Sequence, residues 1–491
     1  MNQISFSTST AKSGRMTLSV ISEDGNEVFI HSRIHPEKDK SVILSDGFSG
    51  RVILLGLGLG YHLMNLNTEN IKELIVVEIS EDVVHLSKDI FLENNAQNSK
   101  IRFVSPEVNE FSDKFWENLI DIETSSSFVI LEHPASVRAF PSYYTKAKET
   151  LSSYISKKAS DNLTIKKFGS LYFKNVLKNI NSFVSSPSVK CFKNKFIESE
   201  AIIVSSGPSI DMFVEKIKEI EKKVFIIAVD SALPVLAENK IEPDFIVSID
   251  PQAYTWEHLN AIKSSAILIQ SLTAHNAVKT DHQYFYLNSH PLCQIIGHLF
   301  DVENIDSNCG NVAGDAVNFA KYCGFKRTYI TGIDSSFPFH EIYSRSSSYQ
   351  KRFLFRSSRL NTLEKQNSDY IFKNSSNYKV GGSNTRKSFI NYKNAVEKML
   401  DDKFVHISRY SLSLKNCILS DEIEITSNES DKRKMLNNIV KSGNILNISK
   451  KELNDFIFQS EVLEELFQQS LYDCSEVHKN KLLELMKCAL V

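Results

Sequence analysis

The chain has 491 residues, 42% of them hydrophobic, enough for buried cores in two or three domains. Its 57 basic and 59 acidic residues leave a net charge of −2, which excludes the broad basic field of a nucleic-acid binder and leaves any ligand to be selected locally. No apolar stretch reaches the length of a bilayer span, the amino terminus lacks the apolar segment of a signal peptide, and the seven scattered cysteines form no C-x-x-C pair. These features predict a cytoplasmic protein with reduced thiols, no disulfide framework and no metal site.

Residues 1–185 carry the run RVILLGLGLGYHLMNL followed by KELIVVEIS. Val52–Leu55 predicts a strand, Gly56, Gly58 and Gly60 a tight glycine turn, and Glu78 the end of the next strand, as in nucleotide-binding α/β domains where an acid takes ribose hydroxyls. This opening resembles that of a Rossmann-like methyltransferase. A later strand, Phe128–Leu131, ends in Glu132-His133-Pro134, which matches no catalytic motif, and nothing supplies the second half of a cofactor site. The region therefore reads as a Rossmann-like scaffold whose turn serves packing.

Residues 186–410 read as a second α/β domain. Ala201–Val204, Val224–Val229 and Phe245–Ile249 are short runs rich in Ile and Val, the pattern of strands covered on both faces. Between them, Pro208 suits a first helical turn, Ile210, Phe213, Val214, Ile217 and Ile220 recur at helical spacing, and a second helix is predicted from Ser231 to about Glu238. The result is a parallel βαβαβ unit with right-handed crossovers. Ligands of such sheets gather at the carboxyl ends of strands, where Ser205, Ser206, Gly207, Asp230 and Asp250 would lie. Gly207 permits close backbone approach, and the helix start after it would offer N–H groups to a phosphate or carboxylate, although no Walker lysine follows.

Further strands are predicted at Ile267–Gln270, Tyr284–Leu287 and Thr328–Thr331, with a helix starting near Asn311 that presents Val312, Ala316, Phe319 and Ala320 on one face. Asp334, beyond the last of these strands, adds a third carboxylate. Residues 335–386 are rich in Ser, Asn, Arg and Tyr and predict either a disordered insertion or a lid, before helix returns at Ser388–Leu400. Residues 411–491 read as helical. Ser449 and Glu452 form a capping box flanked by Ile448 and Leu453, and two apolar stripes follow, Leu453 to Phe467 and Leu482 to Ala489.

The runs VSSGPSIDMF, IIAVDSALPVLAENKIEPDFIVSIDP, GNVAGDAVNFAKYCGF and YITGIDSSFP, with GLGLGYHL and LEHPASVRAFPSYY upstream, resemble the motility accessory factor family, also described by its domain of unknown function 115. The likeness spans roughly residues 50 to 410. It implies a Rossmann-like amino-terminal domain, a central sialyltransferase-like α/β domain and a carboxyl-terminal helical region. It also implies an activity: transfer of a nonulosonic acid, such as pseudaminic or legionaminic acid, from a CMP-activated donor to Ser or Thr of flagellin, with no metal or further cofactor. By the same likeness the donor site would include Ser206, Gly207, Pro208, Ser209, Ser231, Gly310, Asn311 and Gly332, with Tyr343 and Tyr349 as partners of the donor phosphate. Asp230, Asp250, Asp334 and His340 are the candidate catalytic groups, and Arg345 or Arg386 could add positive charge. One departure stands out: Gly382 occupies the place of the sialyltransferases' histidine. Two other readings follow from the same residues, an ATP-dependent pterin pyrophosphokinase and a non-catalytic flagellin-binding protein.

Overall fold

The computed structural model describes residues 4–442 except 46–47, 65–69, 93–99, 121–126, 254–257, 259–264, 277–281, 289, 291–292, 294–295, 298–301, 306, 308, 375–378, 381, 408 and 428–431. The capping box at Ser449 and the two stripes after it lie outside the described residues. The chain divides into two compact units, Met1–Ile165 and Lys166–Val491.

In the first unit β1 (Phe6–Thr10), β2 (Met16–Ile21) and β3 (Glu27–Phe29) form an antiparallel sheet. A second, parallel sheet contains β4 (Gly50–Leu55), β5 (Ile71–Val77), β6 (Ile101–Val104) and β7 (Phe128–Glu132) in the order β6-β5-β4-β7. Successive side chains of a strand face opposite ways, and both faces of this sheet are covered, which is why β4 and β5 read as unbroken apolar runs. Ile53, Leu55, Ile75 and Val77 pack with Trp116, Tyr143 and Tyr144, whereas Val52, Leu54, Leu74 and Val76 pack with Val42, Leu63 and Val84.

The second unit is built on an eight-stranded, wholly parallel sheet. Its strands are β8 (Glu200–Val204), β9 (Phe225–Val229), β10 (Phe245–Ser248), β11 (Ile267–Ser271), β12 (Gln283–Tyr286) and β13 (Arg327–Thr331). After a two-stranded hairpin of β14 (Lys379–Val380) and β15 (Ser383–Asn384), β16 (Phe404–Ile407) and β17 (Ile418–Ser420) complete it. The order is β12-β11-β10-β9-β8-β13-β16-β17. The chain winds outward from β8 to β12, then crosses back to β13, so the switch point of the sheet lies between β8 and β13. β17 corrects the expectation that residues beyond 411 are all helical: Val405, His406 and Ile407 of β16 pair with Ile418, Leu419 and Ser420.

Two further readings need revision. The segment after Gly207 opens as a 3-10 turn, Pro208–Met212, and becomes α-helical only over Val214–Ile220. The polar tract at 335–386 is a folded insertion. Helices Ser348–Phe355 and Leu363–Asn374 surround a small core of Phe337, Ile342 and Ile371 with Tyr343, Phe353, Tyr370 and Phe389. Its few aromatic side chains, spaced among polar ones, converge only in three dimensions.

Candidate functional site

Four neighbouring strands of the second unit, β10, β9, β8 and β13, end in the residues singled out by the sequence, and hydrogen bonds link those ends into a row. Asp230 follows β9 and is buried; its carboxylate accepts the Ser231 N–H at 2.7 Å and the Ser248 hydroxyl at 2.8 Å. Burial raises its pKa to about 7, and the neighbouring charge of Asp250 adds to the rise. Asp250, half-buried beyond β10, accepts the Gln252 N–H at 2.8 Å, and burial raises its pKa as well. The Ser206 and Ser231 hydroxyls meet at 2.8 Å, joining the β8 end to the β9 end. Two carboxylates within reach of each other's charge, with proton affinities lifted toward neutrality, are suited to taking a proton from an acceptor hydroxyl.

Asp334 has a different part. It is buried, and its carboxylate accepts the Ser209 N–H at 2.9 Å and also the Ser209 hydroxyl. Burial lifts its pKa to about 6 against those two bonds. Gly207 donates its N–H to the Gly332 carbonyl at 3.0 Å, Ile210 donates to the Gly207 carbonyl at 3.2 Å, and Pro208 has no N–H. The donors expected to face an anion after Gly207 are therefore engaged within the chain. The two glycines make this possible: a Cβ on Gly207 would lie 2.4 Å from the Gly332 carbonyl oxygen, and Gly332, at φ +70°, would place one 2.2 Å from the Ser205 carbonyl. The close backbone approach anticipated for a ligand is made by the facing turn across the switch point.

The insertion is stitched to the same turn. Ser344 donates its N–H to the Ser206 carbonyl at 2.9 Å, while its hydroxyl and the Arg345 N–H both bind Asp211. This brings Tyr343 into the row, stacked on Tyr349 at 4.5 Å and 15°, and its partly buried phenol lies in the fields of Arg386 and Asp250. Arg386 donates to the Tyr370 hydroxyl at 3.0 Å with its guanidinium 4.1 Å from that ring centroid. Arg345 points outward, paired with Glu341 at 3.0 Å.

His340 is exposed at φ 57° with its ring 6.4 Å from that of Phe372. Gly310 is exposed at φ 69°, and Asn311 caps the helix Val312–Cys323 by accepting the Gly314 N–H at 2.8 Å. Gly382, at φ +82°, faces open space. Two groups were missed in the sequence. Ser248, the hydroxyl within the apolar run FIVS, holds Asp230. His275, beyond β11, donates its backbone N–H to the Asp250 carbonyl at 3.0 Å, and its Nδ1 is buried without a partner. Burial lowers the pKa of His275, with Lys178 contributing and Asp250 opposing. A histidine just past the strand next to Asp250 was the available signal.

The glycine turn of the first unit is also occupied by its own chain. Glu78 is buried and accepts N–H bonds from Leu57 at 2.6 Å, Gly58 at 3.1 Å and Ile79 at 2.8 Å, plus the Tyr144 hydroxyl at 3.1 Å. The adjoining crevice, lined by Leu18, Gly58, Glu78 and Ser136, holds about 210 Å³ of non-atom space, open solvent included. The acid that would take ribose hydroxyls instead caps the turn.

Residues 5–120 match the family described as Glycosyltransferase Maf N-terminal domain, and residues 174–339 match 6-hydroxymethylpterin diphosphokinase MptE-like. The fold is that of a solved Maf glycosyltransferase from Magnetospirillum magneticum AMB-1, with a TM-score of 0.63 over 100% of this chain and 87% of that one, at 14% identity. The likeness is to the motility accessory factor (Maf) family. Both units of the chain take part in it, and the mixed α/β architecture with parallel sheets is the Maf fold. An uncharacterized protein of Treponema pallidum (strain Nichols) is 37% identical over 86 residues, which are 17% of this chain and 40% of that relative, so the chain spans less than half its length. Among the described residues no helix is long and apolar enough to cross a membrane.

Proposed function

We propose that the chain is a Maf-like glycosyltransferase that moves a nonulosonic acid from a CMP-activated donor to Ser or Thr hydroxyls of flagellin in the cytoplasm. The observation that carries this reading is the row of Asp230, Asp250 and the Tyr343–Tyr349 stack along adjacent strand ends. Departure of CMP leaves positive charge on the sugar and negative charge on the phosphate, so the enzyme must supply aimed donors and a proton acceptor more than a nucleophile. Tyr343, Tyr349 and Arg386 are the donors for the phosphate. Asp250, with Asp230 behind it and His275 beside it, takes the acceptor proton. His275 thereby offers an imidazole beside Asp250. The engaged N–H groups at Gly207–Ser209 shape the floor and leave phosphate binding to the tyrosines.

Intact-mass analysis of flagellin incubated with the protein and CMP-pseudaminic or CMP-legionaminic acid tests the reading. Addition of one or more nonulosonic acid masses is expected, and Asp250→Asn should slow it by about 100-fold or more. Full transfer by a folded Asp250→Asn variant would remove Asp250 from the mechanism. The match over residues 174–339 favours a second reading, pterin diphosphokinase chemistry. That alternative requires magnesium-dependent AMP release from ATP and no response to CMP-sugars.

A further inference from the structure

We infer that the first unit holds a divalent cation, zinc by its ligand chemistry, between Asp39 and His133 with His62 as the third ligand and His31 holding the carboxylate. His133 follows β7 and caps the helix Pro134–Ala139, while His62 lies in the helical turn Tyr61–Met64 after the glycine turn that ends β4. These strands are neighbours, so both imidazoles stand at the carboxyl edge of one parallel sheet. Asp39 closes the 3-10 turn Pro36–Lys38 and faces them.

The Asp39 Oδ2 lies 3.3 Å from His133 Nε2, 3.3 Å from His31 Nδ1 and 4.0 Å from His62 Nδ1. A tetrahedral zinc with bonds of about 2.0–2.1 Å separates its ligand atoms by about 3.3 Å, the spacing already present between Asp39 and His133. His31, Asp39 and His133 offer ligand atoms all within 4.8 Å of one another. Hydrogen bonding then divides the roles. His31 Nε2 accepts the Leu59 N–H at 2.7 Å, which leaves the ring proton on Nδ1 and makes that nitrogen a donor to Asp39. His133 meets the Ser136 hydroxyl through Nδ1 at 2.8 Å, and donating there frees Nε2 to ligate, in the way second-shell partners fix metal-binding histidines.

His62 is the independent sign of a guest. Its side chain is fully buried, neither ring nitrogen has a partner, and it stacks on His133 at 4.4 Å with Nδ1 turned toward Asp39. A buried imidazole with no bonds is costly to leave unsatisfied, and a cation answers one of its two nitrogens. Burial lowers the pKa of both His31 and His62. The Asp39 side chain, 14% exposed, is the approach from solvent. Gly58 serves this cluster directly, since a Cβ there would lie 2.5 Å from His31 Nε2.

The test is a cobalt(II) titration of the chelator-treated full-length chain, followed by zinc competition. Saturation at one equivalent with the intense visible bands of a four-coordinate ion, displaced by zinc, is expected. A zinc-dependent rise in Tm that a chelator reverses should accompany it. His62→Ala and His133→Ala should each weaken binding at least tenfold, and His31→Gln less. Should those variants fail to fold, the wild-type titration still decides. Sub-stoichiometric uptake, weak six-coordinate bands, or equal binding by a folded His62→Ala/His133→Ala double variant would each overturn the site.

Discussion

Both units place a glycine-containing turn after the first strand of a parallel sheet, and in both a buried carboxylate from elsewhere in the same chain occupies the turn. Glu78 takes the N–H groups of Leu57 and Gly58, while Asp334 takes that of Ser209. The units differ in what stands beside the closed turn. In the first unit it is a group of imidazoles around Asp39, and in the second a pair of carboxylates with raised proton affinity beside stacked tyrosines. A glycine turn at a strand end thus announces close approach without saying whether the visitor is a ligand or another part of the chain.

The comparison is broken most sharply by deleting the two capping carboxylates. Glu78→Ala and Asp334→Ala each leave buried donors unpaired and should each cost about 2–4 kcal/mol in urea denaturation. A loss under about 0.5 kcal/mol in either would mean that turn does not depend on its acid. The pH response comes next. Asp230 has its folded pKa raised to about 7, above the ordinary carboxylate value, so between about pH 4 and 7 the folded state keeps a proton that the unfolded chain has released. Stability should therefore fall as pH rises through that window, by at most about 1.4 kcal/mol per unit from this group, and level off above it. Asp230→Asn should flatten the slope; an unchanged slope would show that Asp230 titrates normally.

A smaller effect is expected from Asn311→Ala, which removes the cap of the helix Val312–Cys323 and should cost about 1 kcal/mol, read by thermal denaturation. If transfer fell with stability unchanged, Asn311 would belong to the donor site instead. Smallest of all, His340→Ala should leave stability within about 0.5 kcal/mol, as for an exposed side chain, and transfer intact, whereas His275→Ala should slow transfer about tenfold or more. Reversal of that pair would favour His340 over His275 as the imidazole that assists transfer.

Much of the architecture was legible because it is written locally. Apolar runs gave β4, β8, β9, β10 and β13 to within a residue or two, and the residues following them marked the carboxyl edge of each sheet. The insertion was not legible, since the aromatic side chains of its small core are scattered among polar residues from 337 to 389. β17 was missed for a related reason: three residues carry too little periodicity to register.

From sequence alone came the candidates: the glycine turns, the acids at strand ends and the tyrosines beyond β13. Tertiary structure alone decided their partners. Asp334 meets Ser209 across 125 residues, and Asp39 meets His133 across 94. The physical reason is that strand formation follows from neighbouring side chains, whereas the state of a buried carboxylate depends on which distant donors the fold delivers to it.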